Sequence, residues 1–134
     1  VSAGDLLVLD ASVGVKWFRA ESGSEDALAL LDLAERDIAG LAAPTHFVHE
    51  VLSAVERRHD SSDVVSAWEF IVDSRLEIVP LTDAVVREAT VQCERLGCCF
   101  YDSLAPAVAS LLGATLVSAD SRAHGAYPGV RLIG

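Results

Sequence analysis

Short apolar runs, each stopping at a polar residue and each followed by a helix-like stretch, constrain this chain more than any other feature. Leu6 to Leu9 is continuously apolar and ends at Asp10, as a strand covered on both faces does. Ala11 to Phe18 then reads as helix. Ser24 to Arg36 is Leu-rich and amphipathic, with Glu25 and Asp26 in its first turn, where the helix dipole favours negative charge. Ile38 to Ala43 reads as a weaker strand closed by Pro44. Phe47, Val48, Val51, Leu52 and Val55 then recur at the spacing of a core-facing helix over Thr45 to His59. Asp60, Ser61 and Ser62 interrupt that pattern.

The alternation continues to the end. Val64 to Ser74 predicts a helix, Leu76 to Val79 a strand, and Thr82 caps a long helix that Gly97 ends. Asp102 is expected to open a helix running to Leu112, stopped by Gly113. Ala114 to Ser118 reads as a buried strand leading to Asp120, and Val130 to Ile133 as a last strand after the Tyr127-Pro128-Gly129 turn. Strands alternating with helices predict a three-layer α/β/α domain around a central, mainly parallel sheet. With no repeat or linker, one domain is expected over residues 1–134. In such sheets ligands bind outside the carboxyl ends of the strands, where Asp10 and Asp120 fall.

Charge then limits what that domain can do. Ten Lys and Arg stand against twenty Asp and Glu, a net charge of −10, which excludes holding nucleic acid on a broad basic face. Any chemistry on nucleic acid would need cations to mediate it. The three cysteines, Cys93, Cys98 and Cys99, form no Cys-x-x-Cys pair and have no His at zinc-site spacing, so a reducing compartment, the cytoplasm, is expected. No apolar run approaches the roughly 18 to 20 residues of a membrane span. His46, His59 and His124 read as surface residues, and the cysteines as packing thiols.

Four acidic residues occupy positions suited to chemistry: Asp10 and Asp120 after strands, Asp102 at a helix start, and Glu50 on the Thr45 to His59 helix. Each Asp taken alone is equally well explained as a helix cap. Glu50 borders the apolar stripe beside Ala54, and its helical neighbours His46, Ser53 and Ala54 offer it no permanent cation. Four carboxylates meeting in one crevice would repel strongly, and must then either protonate or bind a hard cation. Competing motifs fail: His49-Glu50 lacks the second His of His-Glu-x-x-His, because position 53 is Ser, and Asp10 lacks a second Asp at position 12.

The segments Val8-Leu9-Asp10-Ala11-Ser12-Val13 with Lys16-Trp17, His49-Glu50-Val51-Leu52, Tyr101-Asp102-Ser103-Leu104 and Leu116-Val117-Ser118-Ala119-Asp120-Ser121-Arg122 together resemble the PIN-domain proteins. They are most similar to the VapC-type ribonuclease toxins of toxin–antitoxin systems. The resemblance implies a Mg²⁺-dependent endoribonuclease, with Mn²⁺ as a substitute, in which Asp10, Glu50, Asp102 and Asp120 surround the metal and Ser12 and Ser118 give secondary support. Such an ion would activate water for in-line attack on an RNA phosphodiester. Lys16, Arg19 and Arg122 are candidate phosphate contacts at the rim. The chain departs from the family pattern at Ser53, where Asn is frequent, at Ser118, where Thr is frequent, and at Ala105-Pro106. Pro106 would free the carbonyl of Asp102 from its intrahelical bond.

The same resemblance implies a small antitoxin partner with a basic C-terminal tail that enters the acidic crevice, and a homodimer. Trp17, Phe18, Leu28, Leu31 and Ala34 form an apolar stripe that would either receive that partner or make core. A rival reading is a non-catalytic α/β interaction module whose acidic pocket binds a basic peptide.

Overall fold

The computed structural model describes residues 5–134; the first four residues of the expected domain lie outside them. Five strands of the described residues form one sheet: β1 (Asp5–Leu9), β2 (Ala39–Pro44), β3 (Leu76–Val79), β4 (Thr115–Ser118) and β5 (Arg131–Leu132), in the spatial order β3-β2-β1-β4-β5. Every neighbouring pair is parallel, with Leu7 opposite both Leu41 and Thr115, and Leu9 opposite Val117. Among the described residues seven helices connect them: α1 (Ala11–Val15), α2 (Ser24–Glu35), α3 (His46–Arg58), α4 (Ser61–Asp73), α5 (Asp83–Leu96), α6 (Phe100–Leu112) and α7 (Ser121–His124). None is long and apolar enough to cross a membrane among the described residues.

The period-2 alternation of β1 divides its side chains between two cores. Leu7 and Leu9 pack with residues of α1 to α4 on one face, including Val13, Leu30, Phe47 and Ile71. Val8 packs on the other face with Val85 and Ala89 of α5 and Leu104, Ala105 and Val108 of α6. A strand buried on both sides has no polar face, which is why its sequence is continuously apolar. The expected α/β/α layering is therefore present, and the sheet is wholly parallel among the described residues.

Several boundaries differ from the sequence expectation for identifiable reasons. Helix α1 stops at Val15 because Trp17 and Phe18 donate to residues three back, Gly14 and Val15, in a tightened turn. The break expected at Asp60 is present but short: α3 ends at Arg58, and Asp60, whose N–H donates to the Asp63 carboxylate at 3.1 Å, caps α4, which begins at Ser61 and not at Val64. Helix α6 begins at Phe100 with Cys99 as cap, so Asp102 is its third residue and not its cap. The single turn of α7 was not expected, because four residues carry no readable period. Gly97 and Gly113 end α5 and α6 in the left-handed conformation, as expected.

Chain order runs outward from β1 through β2 to β3, then returns to place β4 on the other side of β1. The crevice at this reversal lies past the carboxyl ends of β1 and β4, where Asp10 follows Leu9 directly and Asp120 follows Ser118 by two residues. Gly14 allows α3 to close over α1 beside it. A Cβ at Gly14 would collide with the Phe47 ring and lie 2.8 Å from Val51 Cγ2, and both of those side chains are fully buried. Gly14→Ala should therefore destabilise the protein by about 1–3 kcal/mol, the usual cost of overpacking a core. Urea unfolding at constant m-value checks this; an unchanged midpoint would show that α3 can move away freely.

Candidate functional site

The end of β1 turns directly into α1, and Asp10 caps that helix. Its Oδ2 accepts from the Ser12 backbone N–H at 3.0 Å and from Ser12 Oγ at 2.6 Å. Ser12 Oγ in turn accepts from the Ala119 N–H at 3.0 Å, so one hydroxyl joins the β1–α1 junction to the residue following β4. Asp120 caps α7 through Oδ1, which accepts from the Ala123 N–H at 3.1 Å. Capping is compatible with a second role at both positions, because each cap engages one carboxylate oxygen and the other makes no hydrogen bond among the described residues. The Asp102 carboxylate, half-buried in the first turn of α6, makes no hydrogen bond or ion pair among the described residues.

Glu50 comes from α3, which lies across α1. Its side chain is 48% exposed, with Oε1 3.7 Å from Nε2 of His46 one turn earlier. Asp10, Glu50, Asp102 and Asp120 line one crevice of about 320 Å³, with Ser12, Ser53 and Arg57 among its walls. The four acidic residues singled out in the sequence are thus brought together from four separate elements. The crevice is open: no three of the described His, Cys, Asp and Glu side chains form a ready-made cage for a metal ion. Glu50 and Ser53 also belong to the wall of a neighbouring groove of about 830 Å³, lined further by His46, His49, Phe100 and Tyr101.

The electrostatics record the crowding. The Glu50 carboxyl is held above its ordinary value, first by burial and then by the charges of Asp10 and Asp102. The His46 imidazole lies below its ordinary value because burial outweighs the pull of those same two aspartates. Its Nδ1 is buried without a hydrogen-bond partner, and its ring lies 5.7 Å from that of Tyr101.

The basic residues are arranged differently from expectation. Lys16 is buried, its Nζ donating to the Ser22 carbonyl at 2.6 Å and lying 3.3 Å from Glu21 Oε1, so it ties down the loop before α2. It is not presented to a phosphate. Arg19 is half-buried and Arg122 exposed, and neither lines the crevice. The cation that does line it is Arg57, whose Nη1 donates to Ser53 Oγ at 3.0 Å. A signal for Arg57 was present: it stands seven residues after Glu50, two turns along the same helix face.

Two histidines also correct the sequence reading. His46 is buried and His124 is fully buried, whereas His59 is exposed as expected. Nδ1 of His124 lies 2.7 Å from Ser118 Oγ, and its Nε2 lies 2.6 Å from the Asp102 carbonyl oxygen. Ser118 Oγ accepts from the Asp120 N–H at 3.0 Å. The carbonyl that Pro106 frees therefore has a partner outside its own helix. Cys93, Cys98 and Cys99 are free thiols, with Cys98 pushed up to about 11 by burial and then by Cys93. Of the apolar stripe, Trp17 and Ala34 are core, and the Trp17 indole N–H donates to the Ala27 carbonyl at 2.9 Å. Phe18 and Leu31 pack against that core, and Leu28 is exposed.

Fold and site together define an open, parallel α/β/α protein with its acidic residues gathered where the strand order reverses. Residues 7–127 match the PIN domain family, and the chain belongs to it. Among solved structures it is similar to VapC20 of Mycobacterium tuberculosis, described as a sarcin-ricin loop cleaving toxin, at 16% identity and a TM-score of 0.70 over 93% of this chain and 98% of that one. It is similar to VapBC2 of Rickettsia felis bound to a promoter DNA fragment, at 20% identity and a TM-score of 0.68 over 95% and 96%. It also resembles a toxin–antitoxin complex of Klebsiella pneumoniae, at 15% identity and 0.69 over 92% and 94%. No curated protein matches the sequence.

The raised Glu50 value carries a sign for stability. Folding opposes ionisation of this group, so the favourable contribution is complete below the ordinary glutamate range and is lost as pH rises through the folded-state value. With chelator present, Glu50→Gln should unfold at the same urea midpoint as the parent at pH 4. It should become the more stable of the two by pH 7. A difference that does not change with pH would contradict the crowding.

Proposed function

We propose that this chain is a metal-dependent endoribonuclease that serves as the toxin of a toxin–antitoxin pair. The observation that carries the reading is the convergence of Asp10, Glu50, Asp102 and Asp120 on one crevice. Repulsion between carboxylates makes such a gathering costly unless a positive ion balances it. The donor set is entirely oxygen, which suits Mg²⁺, or Mn²⁺ in its place. An open arrangement also suits Mg²⁺, which sheds its water reluctantly and is usually held by few protein carboxylates.

Asp10 Oδ1, Asp120 Oδ2 and the Asp102 and Glu50 carboxylates would hold the ion, in part through the waters that it keeps. When bound, such an ion supplies Lewis-acid stabilisation of phosphoryl charge and a more acidic water. Ser12 and Ser118 would keep Asp10 and Asp120 in position through the hydrogen bonds described above. Arg57, at the crevice wall, would pair with a phosphate of the RNA strand, with Arg122 on α7 further out. A cation held among these carboxylates, with Arg57 beside it, would make the crevice a place where a polyanion can approach.

An antitoxin partner is supported by the assemblies in which the similar structures occur, several of them complexes with an antitoxin or bound to promoter DNA. A basic tail carrying Arg would neutralise the same carboxylates. The apolar contribution would fall on α4 more than on the stripe expected from sequence: Val65, Trp68 and Val72 are exposed at i, i+3 and i+7 of one face. Cytoplasmic location, expected from the sparse thiols, and a homodimer, implied by the family resemblance, complete the reading.

Partner-free protein with Mn²⁺ should degrade RNA, and chelator should stop it. Asp10→Asn and Asp102→Asn should each lower the rate by more than the ~10–100-fold typical of losing an outer partner. Capture of an Arg-rich peptide with no turnover on any RNA would favour the binding-module alternative. Arg57→Ala should weaken RNA binding several-fold while leaving Mn²⁺ affinity, read by calorimetry, at the parental value. Unchanged RNA binding would remove Arg57 from the substrate site.

A further inference from the structure

We propose that His124 is a positioning residue that fixes Asp102 relative to Asp120 by taking up the backbone carbonyl that Pro106 leaves open. The proposal rests on the reading that these two carboxylates share a divalent cation. In an unbroken α6, the N–H of residue 106 would donate to the carbonyl of Asp102 four residues back. Proline has no N–H, so that bond cannot form. The oxygen is instead met by His124 Nε2 at 2.6 Å, from a different helix and 22 residues along the chain.

The chemistry of the acceptor assigns the ring's protons. A carbonyl oxygen only accepts, so Nε2 carries the hydrogen. The other ring nitrogen, Nδ1, then meets the Ser118 hydroxyl at 2.7 Å, and Ser118 Oγ accepts from the Asp120 N–H at 3.0 Å. A continuous chain of hydrogen bonds results, with Asp102 at one end and Asp120 at the other. His124 is also bound through its own backbone, its N–H donating to the Asp120 carbonyl at 3.0 Å.

Burial makes this chain stiff. His124 and Ser118 are both fully buried, so no water replaces a lost partner, and breaking one link leaves polar groups unsatisfied. A histidine that only filled space would be replaceable by phenylalanine without consequence at the crevice. A histidine that positions Asp102 would not. Pro106 and His124 are then two halves of one device, since the proline creates the vacancy that the imidazole fills.

The test is a Mn²⁺ titration by calorimetry of the parent, His124→Phe, Pro106→Ala and the double variant, with folding followed by circular dichroism. His124→Phe keeps the bulk and should weaken Mn²⁺ binding by ~10–100-fold, the range for loss of an outer partner of a ligand. Pro106→Ala supplies the missing N–H, so the double variant should recover several-fold of that loss although it has no histidine. Ser118→Ala keeps the ring while cutting the link to Asp120, and it should weaken binding even if the phenylalanine variant fails to fold. Parental affinity in folded His124→Phe or in Ser118→Ala, or no recovery in the double variant, would overturn the proposal. A parent that does not bind Mn²⁺ would overturn the carboxylate site itself, and the positioning role with it.

Discussion

Mutual repulsion among carboxylates is the constraint around which this molecule is organised. Asp10, Glu50, Asp102 and Asp120 face one crevice, and two of them hold the carboxyl of a third above its ordinary value after burial has done so. Nothing in the local chemistry of these residues draws them together. The work is done by the sheet, whose reversal between β1 and β4 sets Asp10 and Asp120 side by side, and by α3 and α6, which bring Glu50 and Asp102 over the same edge. The cohesion comes from apolar burial on both faces of the sheet.

The scaffold is reinforced where the charges lie. Ser12 joins Asp10 to the Ala119 backbone, Ser118 joins the Asp120 backbone to His124, and His124 reaches the Asp102 carbonyl. These bonds engage backbone groups, two hydroxyls, the imidazole and one oxygen of Asp10, and leave Asp10 Oδ1 and the Asp102 carboxylate without a hydrogen bond among the described residues. A site built this way is preorganised without being neutralised by its own protein. The buried hydroxyls and imidazole supply dipoles and hydrogen bonds, and no permanent cation is placed against the aspartates. Arg57 stands at the wall, engaged with Ser53.

A net charge of −10 and a functional crevice that is itself acidic make long-range attraction of a polyanion unfavourable. Recognition would therefore be local, through a bound cation and a few side chains, and would fail wherever the cation is absent. A basic partner is favoured by the same field. Charge thus couples the two roles proposed for the crevice, because whatever neutralises it with a peptide also occupies the place of the metal. The exposed Val65, Trp68 and Val72 face of α4 lies outside the crevice lining and gives such a partner an apolar surface of its own.

Much of this was legible in the residues because it depends on near neighbours. The unbroken apolar run before Asp10, the Thr82 cap and the Gly97 and Gly113 stops report local geometry, and the corresponding elements lie where the pattern put them. The four acidic positions were found by combining that pattern with a family resemblance spread along the whole chain. What stayed hidden depends on contacts distant in sequence. Lys16 looked available and is folded inward onto Ser22, while His124 looked like a surface residue and is fully buried between Ser118 and Asp102. Sequence by itself determined which segments are strands and helices and what chemical groups they carry, since period, caps and residue type act over a few residues. Tertiary structure alone decided which of those groups meet, because a hydrogen bond across 22 residues or a close approach at Gly14 exists only once the layers have packed.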